Sequence, residues 1–301
     1  MTVICAAKFN QNSGAIIADR QISTPSTKYL LSTKLHLFQC NKDSKFIFGG
    51  TGDTGPIYEI TTKISETIAN EKEKIVTKYD FRDFVENIIK EYKEDYLNRR
   101  FKLELVAPPG EYPCQKEWEE QLVGKQKNIL KDFNELDEYF LTLSYDQTGI
   151  GLQLISLKPE KTRLISPSYE TIGSGEGLAD VIMHDFFKNM DETEKQEVNP
   201  VIGVMVLLQA TAAAAERNKG VGGIPQLYVI DKGKIISPRR RQLKLAEEIS
   251  CAEKKGYLND GFACEALEDL IFKNANYESV EEKMLQKAKN PTALLRFLRG
   301  Y

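Results

Sequence analysis

Histidine and paired cysteines, from which most metal sites are built, are scarce in this sequence. It has two histidines, His36 and His184, and neither lies near a cluster of cysteines. Its five cysteines are scattered without a Cys-x-x-Cys pair. Since zinc sites draw on closely spaced Cys and His ligands, we expect no metal and no other cofactor. An odd, unpatterned set of cysteines is also more typical of reduced thiols than of a disulfide framework.

Long apolar runs and a strong excess of one charge are missing too. No stretch of about 18 consecutive apolar residues is present, so the sequence predicts no membrane-spanning helix. The N-terminus lacks the basic segment and apolar core of a secretory leader, and we expect a cytoplasmic protein. A net charge of −3 gives no reason to expect nucleic acid as a partner. With 301 residues and 41% hydrophobic content, the chain resembles ordinary globular proteins.

The start of the chain carries the strongest chemical signal. Thr2 follows Met1 directly, and methionine before a small residue is the usual substrate of methionine aminopeptidase, so we expect mature chains to begin at Thr2. An N-terminal threonine combines a nucleophilic hydroxyl with an α-amine whose pKa of about 7.7–8.0 lets it accept the hydroxyl proton. Apolar runs at 3–9 and 14–20 flank a polar turn and predict a β-hairpin that returns Asp19 to Thr2.

Three sequence blocks, taken in order, resemble a proteasome β-type subunit, a member of the N-terminal-nucleophile hydrolases. The first block contains Thr2, residues 18–20, Lys34 and the glycine-rich segment 49–53. The second block is the Ile-Gly-Ser-Gly sequence at 172–175, followed by a helical stretch. The third block, at 214–223, resembles the late helix-to-glycine turn of the family. Together they cover roughly residues 2 to 235 of the chain.

The resemblance implies a role for each matched residue. Thr2 would attack an acyl carbon and carry an ester intermediate. Lys34 would lie near the Thr2 hydroxyl and stabilise its anionic form, with Asp19 as the paired anion that a buried lysine needs. Gly49 would supply the backbone N–H of the oxyanion hole. Ser174 would form a hydrogen bond with the N-terminal amine.

The sequence also departs from the family pattern. The arginine expected two places after the first aspartate is Gln21 here. In the late block, the expected aspartate and serine are replaced by Asn218 and Val221. We therefore expect a neutral amide pair, Gln21 with Asn218, in place of a charged pair, and a smaller hydroxyl network around the nucleophile.

A substrate pocket is predicted beside the nucleophile. Ile22 and Ile47 would line it, and Ser23 and Gly50 complete the predicted substrate-binding set. Because both isoleucines are apolar and fairly large, we expect the pocket to take a small or apolar side chain rather than a charged one.

The order of predicted elements is strands, two helices, strands, two helices, strands. This order fits an α+β fold of the αββα type, with two antiparallel sheets between two helix layers. We expect this domain to span residues 1–237, with an insertion at about 105–138. Apolar positions at helical spacing predict a helical C-terminal appendage over 238–301.

Three functional interpretations are open from the sequence. The first is a threonine-type amidohydrolase that acts on peptides or proteins. The second is a transpeptidase or protein ligase that uses the same ester, as in connectases. The third is a catalytically inactive, proteasome-like structural subunit, for which a retained Met1 would be evidence. The sequence is compatible with self-association into a ring or a small oligomer, and also with a monomer.

Overall fold

Two five-stranded antiparallel sheets, one small two-stranded sheet and a set of helices make up the described part of the chain. The computed structural model describes residues 2–23, 28–29, 33–40, 43–71, 74–104, 123–131, 138–158, 161–165, 168–218 and 220–298. The strands are β1 (Ile4–Lys8), β2 (Ser13–Ala18), β3 (Ile22–Ser23), β4 (Lys28–Tyr29), β5 (Leu35–Gln39), β6 (Lys45–Thr51), β7 (Tyr139–Asp146), β8 (Gly149–Ser156), β9 (Arg163–Leu164), β10 (Tyr169–Ile172), β11 (Gln226–Asp231) and β12 (Lys234–Ile236). The helices are α1 (Thr54–Glu71), α2 (Lys78–Glu104), α3 (123–131), α4 (Glu176–Phe187), α5 (Pro200–Arg217), α6 (Arg240–Lys254), α7 (Phe262–Leu267), α8 (Tyr277–Gln286) and α9 (Pro291–Leu298). A 3-10 turn at Glu194–Gln196 and a π-helical turn at Glu268–Phe272 lie between these helices.

The first sheet is built around the predicted N-terminal hairpin. Its strand order is β10-β1-β2-β11-β12, and neighbouring strands are antiparallel. Every residue of β2 is buried, as expected of a central strand in a sheet that is covered on both faces. Ile4 pairs with Ala18 across the hairpin, so Asp19 emerges beside the first residues of β1.

The second sheet is a meander in the order β5-β6-β7-β8-β9. Successive side chains of β6 point to opposite faces, as the pleat requires. Phe46 and Phe48 join an apolar cluster with residues of α1 and α2, whereas Ile47 faces the other sheet. This alternation decides which residues of β6 reach the functional site.

Three apolar layers hold the sandwich together. The layer between the sheets includes Ile4, Ile16 and Leu143. The other two layers lie between the first sheet and α4–α5, and between the second sheet and α1–α2. Each fully buried large apolar side chain contributes roughly 1.5–3 kcal/mol through removal from water. The structure therefore confirms the predicted αββα arrangement.

Helix α5 runs along the apolar layer over the first sheet and leads to the late glycine turn. It begins after Asn199, whose side chain accepts the Val201 N–H at 2.9 Å, and Pro200 occupies its first position. The small side chains of Ala210 and Ala214 are fully buried and let the helix lie against β1 and β2. The helix ends at Arg217, directly before Asn218.

The C-terminal helices pack onto this same layer. Leu243, Ile249 and Leu270 are buried in one cluster with Val3 of the N-terminal segment and Leu207 of α5. The helical part of the predicted appendage thus shares a core with the sandwich. Of the predicted insertion, residues 105–122 and 132–137 lie outside the described residues, and 123–131 form α3.

Within the described ranges, no helix combines the length and the apolar character that crossing a membrane requires.

Candidate active site

The ammonium group of Lys34 contacts both the predicted nucleophile, Thr2, and its own predicted counter-ion, Asp19. Lys34 Nζ lies 3.1 Å from Thr2 Oγ1 and 2.7 Å from Asp19 Oδ1. The side chains of Lys34 and Asp19 are 9% and 1% exposed. Burial lowers the pKa of Lys34, and the neighbouring carboxylate of Asp19 opposes that shift. Three residues separated in sequence are therefore brought into one contact, as the resemblance implied.

Asp19 is held in place by backbone amides as well as by Lys34. Its Oδ1 accepts the Val3 N–H at 2.9 Å. Its Oδ2 accepts the N–H groups of Gln21 at 3.2 Å and Gly222 at 3.3 Å. These donors satisfy the hydrogen-bonding capacity of a carboxyl group that is buried away from water. Asp19 therefore ties the hairpin end, the late glycine turn and Lys34 together.

The backbone of Thr2 is fixed by the loop that precedes α4. Thr2 N donates to Ser174 Oγ at 3.0 Å, and Gly175 N donates to Thr2 O at 3.2 Å. Gly173 adopts a φ of +102°, and a Cβ at this position would collide with the carbonyl oxygen of Thr2. The Gly-Ser-Gly sequence thus lets the loop approach the N-terminal residue closely. Met1 lies outside the described residues.

The late block supports this loop. The Asn218 side chain donates to Ser174 O at 3.0 Å and accepts the Gly220 N–H at 3.0 Å. Val221 is 3% exposed and packs beside Gly175. The side-chain oxygen of Gln21 lies near Gly222. Asn218 therefore orients the Ser174 loop, and its predicted pairing with Gln21 stays a prediction.

Gln226, at the start of β11, is a positioning residue that the sequence interpretation missed. Its Oε1 accepts the N–H groups of Lys34 and Leu35, each at 3.1 Å, and its Nε2 donates to Leu35 O at 2.8 Å. Gln226 pairs with Ala18 in the first sheet, so it stands next to Asp19. The available signal was a polar residue at the head of an otherwise apolar strand.

The backbone N–H groups of Gly49 and Gly50 point toward opposite edges of strand β6. The Cys40 N–H bonds Ser44 O across the β5–β6 turn. Because bonded and non-bonded pairs alternate along an antiparallel ladder, the pairing of Leu35 with Gly49 is a non-bonded one. The N–H of Gly49 therefore points toward β7, and that of Gly50 points toward the side of Lys34.

A cavity of about 430 Å³ opens beside Thr2. Its wall is formed by the start of β5, the glycine-rich end of β6 and one face of α1. It is lined by Thr2, Gln21, Thr33, Lys34, His36, Gly50, Gly52, Thr54, Ile57, Tyr58, Thr61, Thr62 and Ser65. Gly50 thus lies where a substrate-binding residue was predicted.

The prediction that Ile47 lines this cavity is wrong. Ile47 is fully buried between the two sheets, because odd-numbered positions of β6 face the first sheet and even-numbered ones face α1. His36 of β5, which pairs with Phe48 on the α1 side, takes that place in the lining. The side chains of Ile22 and Ser23 lie outside the described part of the structure.

Comparisons with known proteins agree with the architecture. No protein-family model and no curated protein matches the chain. Among solved structures, the fold is similar to that of Anbu (ancestral beta-subunit) from Yersinia bercovieri, with a TM-score of 0.57 and 12% sequence identity. The match covers 84% of this chain and 94% of the other. At this identity the similarity shows the fold alone, and it agrees with the αββα fold that the sequence predicts.

Proposed function

We propose that the protein is an N-terminal-threonine amidohydrolase that cleaves peptide or protein amide bonds through an acyl ester on Thr2. The observation that carries the proposal is the Lys34 ammonium, which contacts Thr2 Oγ1 at 3.1 Å and Asp19 Oδ1 at 2.7 Å. A cation in contact with a hydroxyl favours its anionic form during attack. A structural subunit without catalytic activity would not need a cation in contact with the Thr2 hydroxyl.

The first half-reaction begins once Met1 is removed. The α-amine of Thr2 takes the proton from Oγ1 while this oxygen attacks the carbonyl carbon of the substrate. The resulting oxyanion accepts a hydrogen bond from the N–H of Gly50 in the role first expected of Gly49. The C–N bond breaks, the departing amine takes the proton from the α-amine, and an ester remains on Thr2.

The second half-reaction regenerates the hydroxyl. Water loses a proton to the α-amine and attacks the ester carbon. The bond to Thr2 Oγ1 breaks, the oxygen regains a proton, and a carboxylic acid leaves. Ser174, whose Oγ lies 3.0 Å from Thr2 N, orients the amine in both steps.

Ligation is the second candidate, and one observation favours it. Val221 presents an apolar side chain beside Gly175, where the resemblance led us to expect a serine hydroxyl. Fewer polar groups near the amine would leave the deacylating water less well oriented. An incoming amine that resolves the same ester would form a new amide bond and so join two chains.

Intact-mass spectrometry tests the proposal directly. The purified protein should begin at Thr2 and should gain the mass of one acyl group when it is incubated with an activated peptide ester. Thr2→Ala should not gain this mass, whereas Thr2→Ser, which keeps a hydroxyl, should. Retention of Met1 on folded protein that forms no adduct would support the structural-subunit alternative instead.

A further inference from the structure

A cavity of about 230 Å³ lies at the end of β1 that points away from Thr2. Three lysines are in its lining: Lys8 at the end of β1, Lys78 at the start of α2 and Lys195 of the 3-10 turn. Because a strand advances about 3.3 Å per residue, Lys8 lies roughly 20 Å along the chain from Thr2. The cavity is therefore separate from the candidate active site.

Lys8 is a half-buried cation that has another cation as its neighbour. Burial lowers the pKa of Lys8, and the positive charge of Lys78 lowers it further. Among the described residues no carboxylate opposes this shift. Two like charges that are partly removed from water destabilise each other, so an anion bound between them would remove a cost that the protein carries without it.

Lys78 is held near Lys8 by contacts along its whole side chain. Its aliphatic stem packs over Gly151, which is also in the lining, and a Cβ on this glycine would collide with Lys78 Cδ. Its Nζ donates to Thr148 Oγ1 at 2.8 Å. An ammonium group carries three donors, so this bond leaves others available for a ligand. The fold therefore fixes the position of this second cation.

The carboxylates nearest to these lysines are engaged elsewhere. Asp146 accepts the backbone N–H of Lys78 at 2.7 Å and two further hydrogen bonds from the turn that follows β7. Glu192 forms an ion pair with Lys195 at 2.7 Å, and its side chain is 82% exposed. Within the described ranges, neither acid forms an ion pair with Lys8 or Lys78. The charge of Lys195 is thus balanced, and two positive charges remain at the cavity.

We propose that this cavity binds a phosphate group, as the free ion or as a small phosphate monoester. A phosphate of nearly two negative charges balances Lys8 and Lys78 and offers several acceptor oxygens. The described lining contains lysines and no arginine. Lysine binds phosphate as a point charge, whereas the arginine fork is the side chain that matches a planar carboxylate. The volume is below the roughly 300–1,000 Å³ of pockets for drug-sized ligands, which favours a small anion.

Calorimetry of the full chain at neutral pH and constant ionic strength tests the site. Sodium phosphate should bind at one site per chain, about tenfold or more tightly than sodium malonate, a dicarboxylate of similar charge. Lys8→Gln and Lys78→Gln should each weaken phosphate binding about tenfold or more, because each removes one cation. Glycerol 3-phosphate distinguishes the two sources: binding equal to that of phosphate identifies a monoester site, and weaker binding identifies a site for the free ion.

Lys63→Gln is the matched control, because it removes the same charge from α1, outside the cavity lining. It should leave phosphate affinity unchanged. Thermal unfolding gives a second readout: Lys8→Gln should be at least as stable as the wild type without phosphate, and phosphate should stabilise the wild type far more than this variant. No phosphate binding by the wild type, equal affinity for malonate, or equal weakening by Lys63→Gln would overturn the inference. A Lys8→Gln variant that is less stable than the wild type without phosphate would also contradict it.

Discussion

Gln226 and Leu35 exchange two hydrogen bonds, from Leu35 N to Gln226 Oε1 at 3.1 Å and from Gln226 Nε2 to Leu35 O at 2.8 Å. The Gln226 side chain, from the first sheet, thereby pairs with the backbone of β5 at the edge of the second sheet, as a neighbouring strand would. Since the same Oε1 also accepts the Lys34 N–H, the exchange fixes the point at which Lys34 turns toward Thr2. The geometry of the site therefore depends on a contact between the two sheets.

Replacing Gln226 by leucine should loosen this contact. Gln226→Leu keeps the approximate volume and leaves partly buried backbone groups unpaired, which costs about 1–3 kcal/mol of unfolding free energy. Acylation of Thr2 should also slow because Lys34 is no longer held in place. Urea unfolding and adduct formation followed by mass spectrometry measure both effects. Gln39→Leu, at an exposed position of β5, is the control and should change neither.

Removing the charge of Lys34 should separate catalysis from stability. Lys34→Met should lower the acylation rate by about 100-fold or more, the loss expected when electrostatic stabilisation is removed. It should also destabilise the fold, by up to about 3–5 kcal/mol, because Asp19 keeps a buried charge without its cation. Adding Asp19→Asn should restore stability without restoring activity. If the double variant recovers both stability and acylation, or if Lys34→Met alone acylates at a near wild-type rate, the role of Lys34 is structural.

The local part of this site was predictable from sequence, and the long-range part was not. The position of Asp19 beside Thr2 follows from the hairpin, because the two strands that set its register are adjacent in sequence. Gln226 contacts residues about 190 positions away through its side chain, and no periodic pattern reports such a contact. Ile47 was misplaced because a shift of one residue moves a strand side chain to the opposite face.

Gly173→Ala should disrupt the loop that holds the N-terminal residue. The substitution meets both a φ of +102° and a collision with Thr2 O, so we expect a loss of stability of about 1 kcal/mol or more and a loss of acylation. Gly177 of α4 is a matched control, since a Cβ there meets nothing within 4 Å. Gly177→Ala should be neutral, or stabilising by up to about 1 kcal/mol, in a helix. Thermal unfolding of the two variants distinguishes loop strain from a general effect of alanine.

The stability of the protein should fall with rising pH in the acidic range because of Glu247 on α6. Burial, reinforced by Glu248, raises the pKa of Glu247 to about 7, above its unfolded value of about 4.3. Between these values the folded state holds a proton that the unfolded state has lost, so the stabilisation is complete below about pH 4.3 and lost as pH rises through 7.

Glu247→Gln should therefore flatten this part of the profile. The variant should be more stable than the wild type at pH 8, by at most about 3 kcal/mol, and should match it near pH 4. Urea unfolding at a series of pH values measures the difference. Glu282→Gln, at an exposed position of α8, should leave the profile as it is. A wild-type profile that stays flat from pH 4 to 8 would contradict the role of Glu247.

Val221→Ser should shift the balance between ligation and hydrolysis. The side chain packs beside Gly175 and is 3% exposed, so a serine would place a hydroxyl next to the Ser174 loop, where a deacylating water is expected. The ester on Thr2 should then turn over to acid more rapidly, and less of it should accumulate.

The cost of this change is a loss of packing. Burial of the smaller, polar serine should lower the unfolding free energy by about 1–3 kcal/mol. Val221→Ala reproduces the smaller volume without the hydroxyl and is the matched control. The measurement is the ratio of hydrolysed peptide to peptide transferred to an added amine, at equal acylation of Thr2. If alanine and serine raise this ratio equally, the cause is a cavity that admits water, and the hydroxyl of serine has no specific role in orienting it.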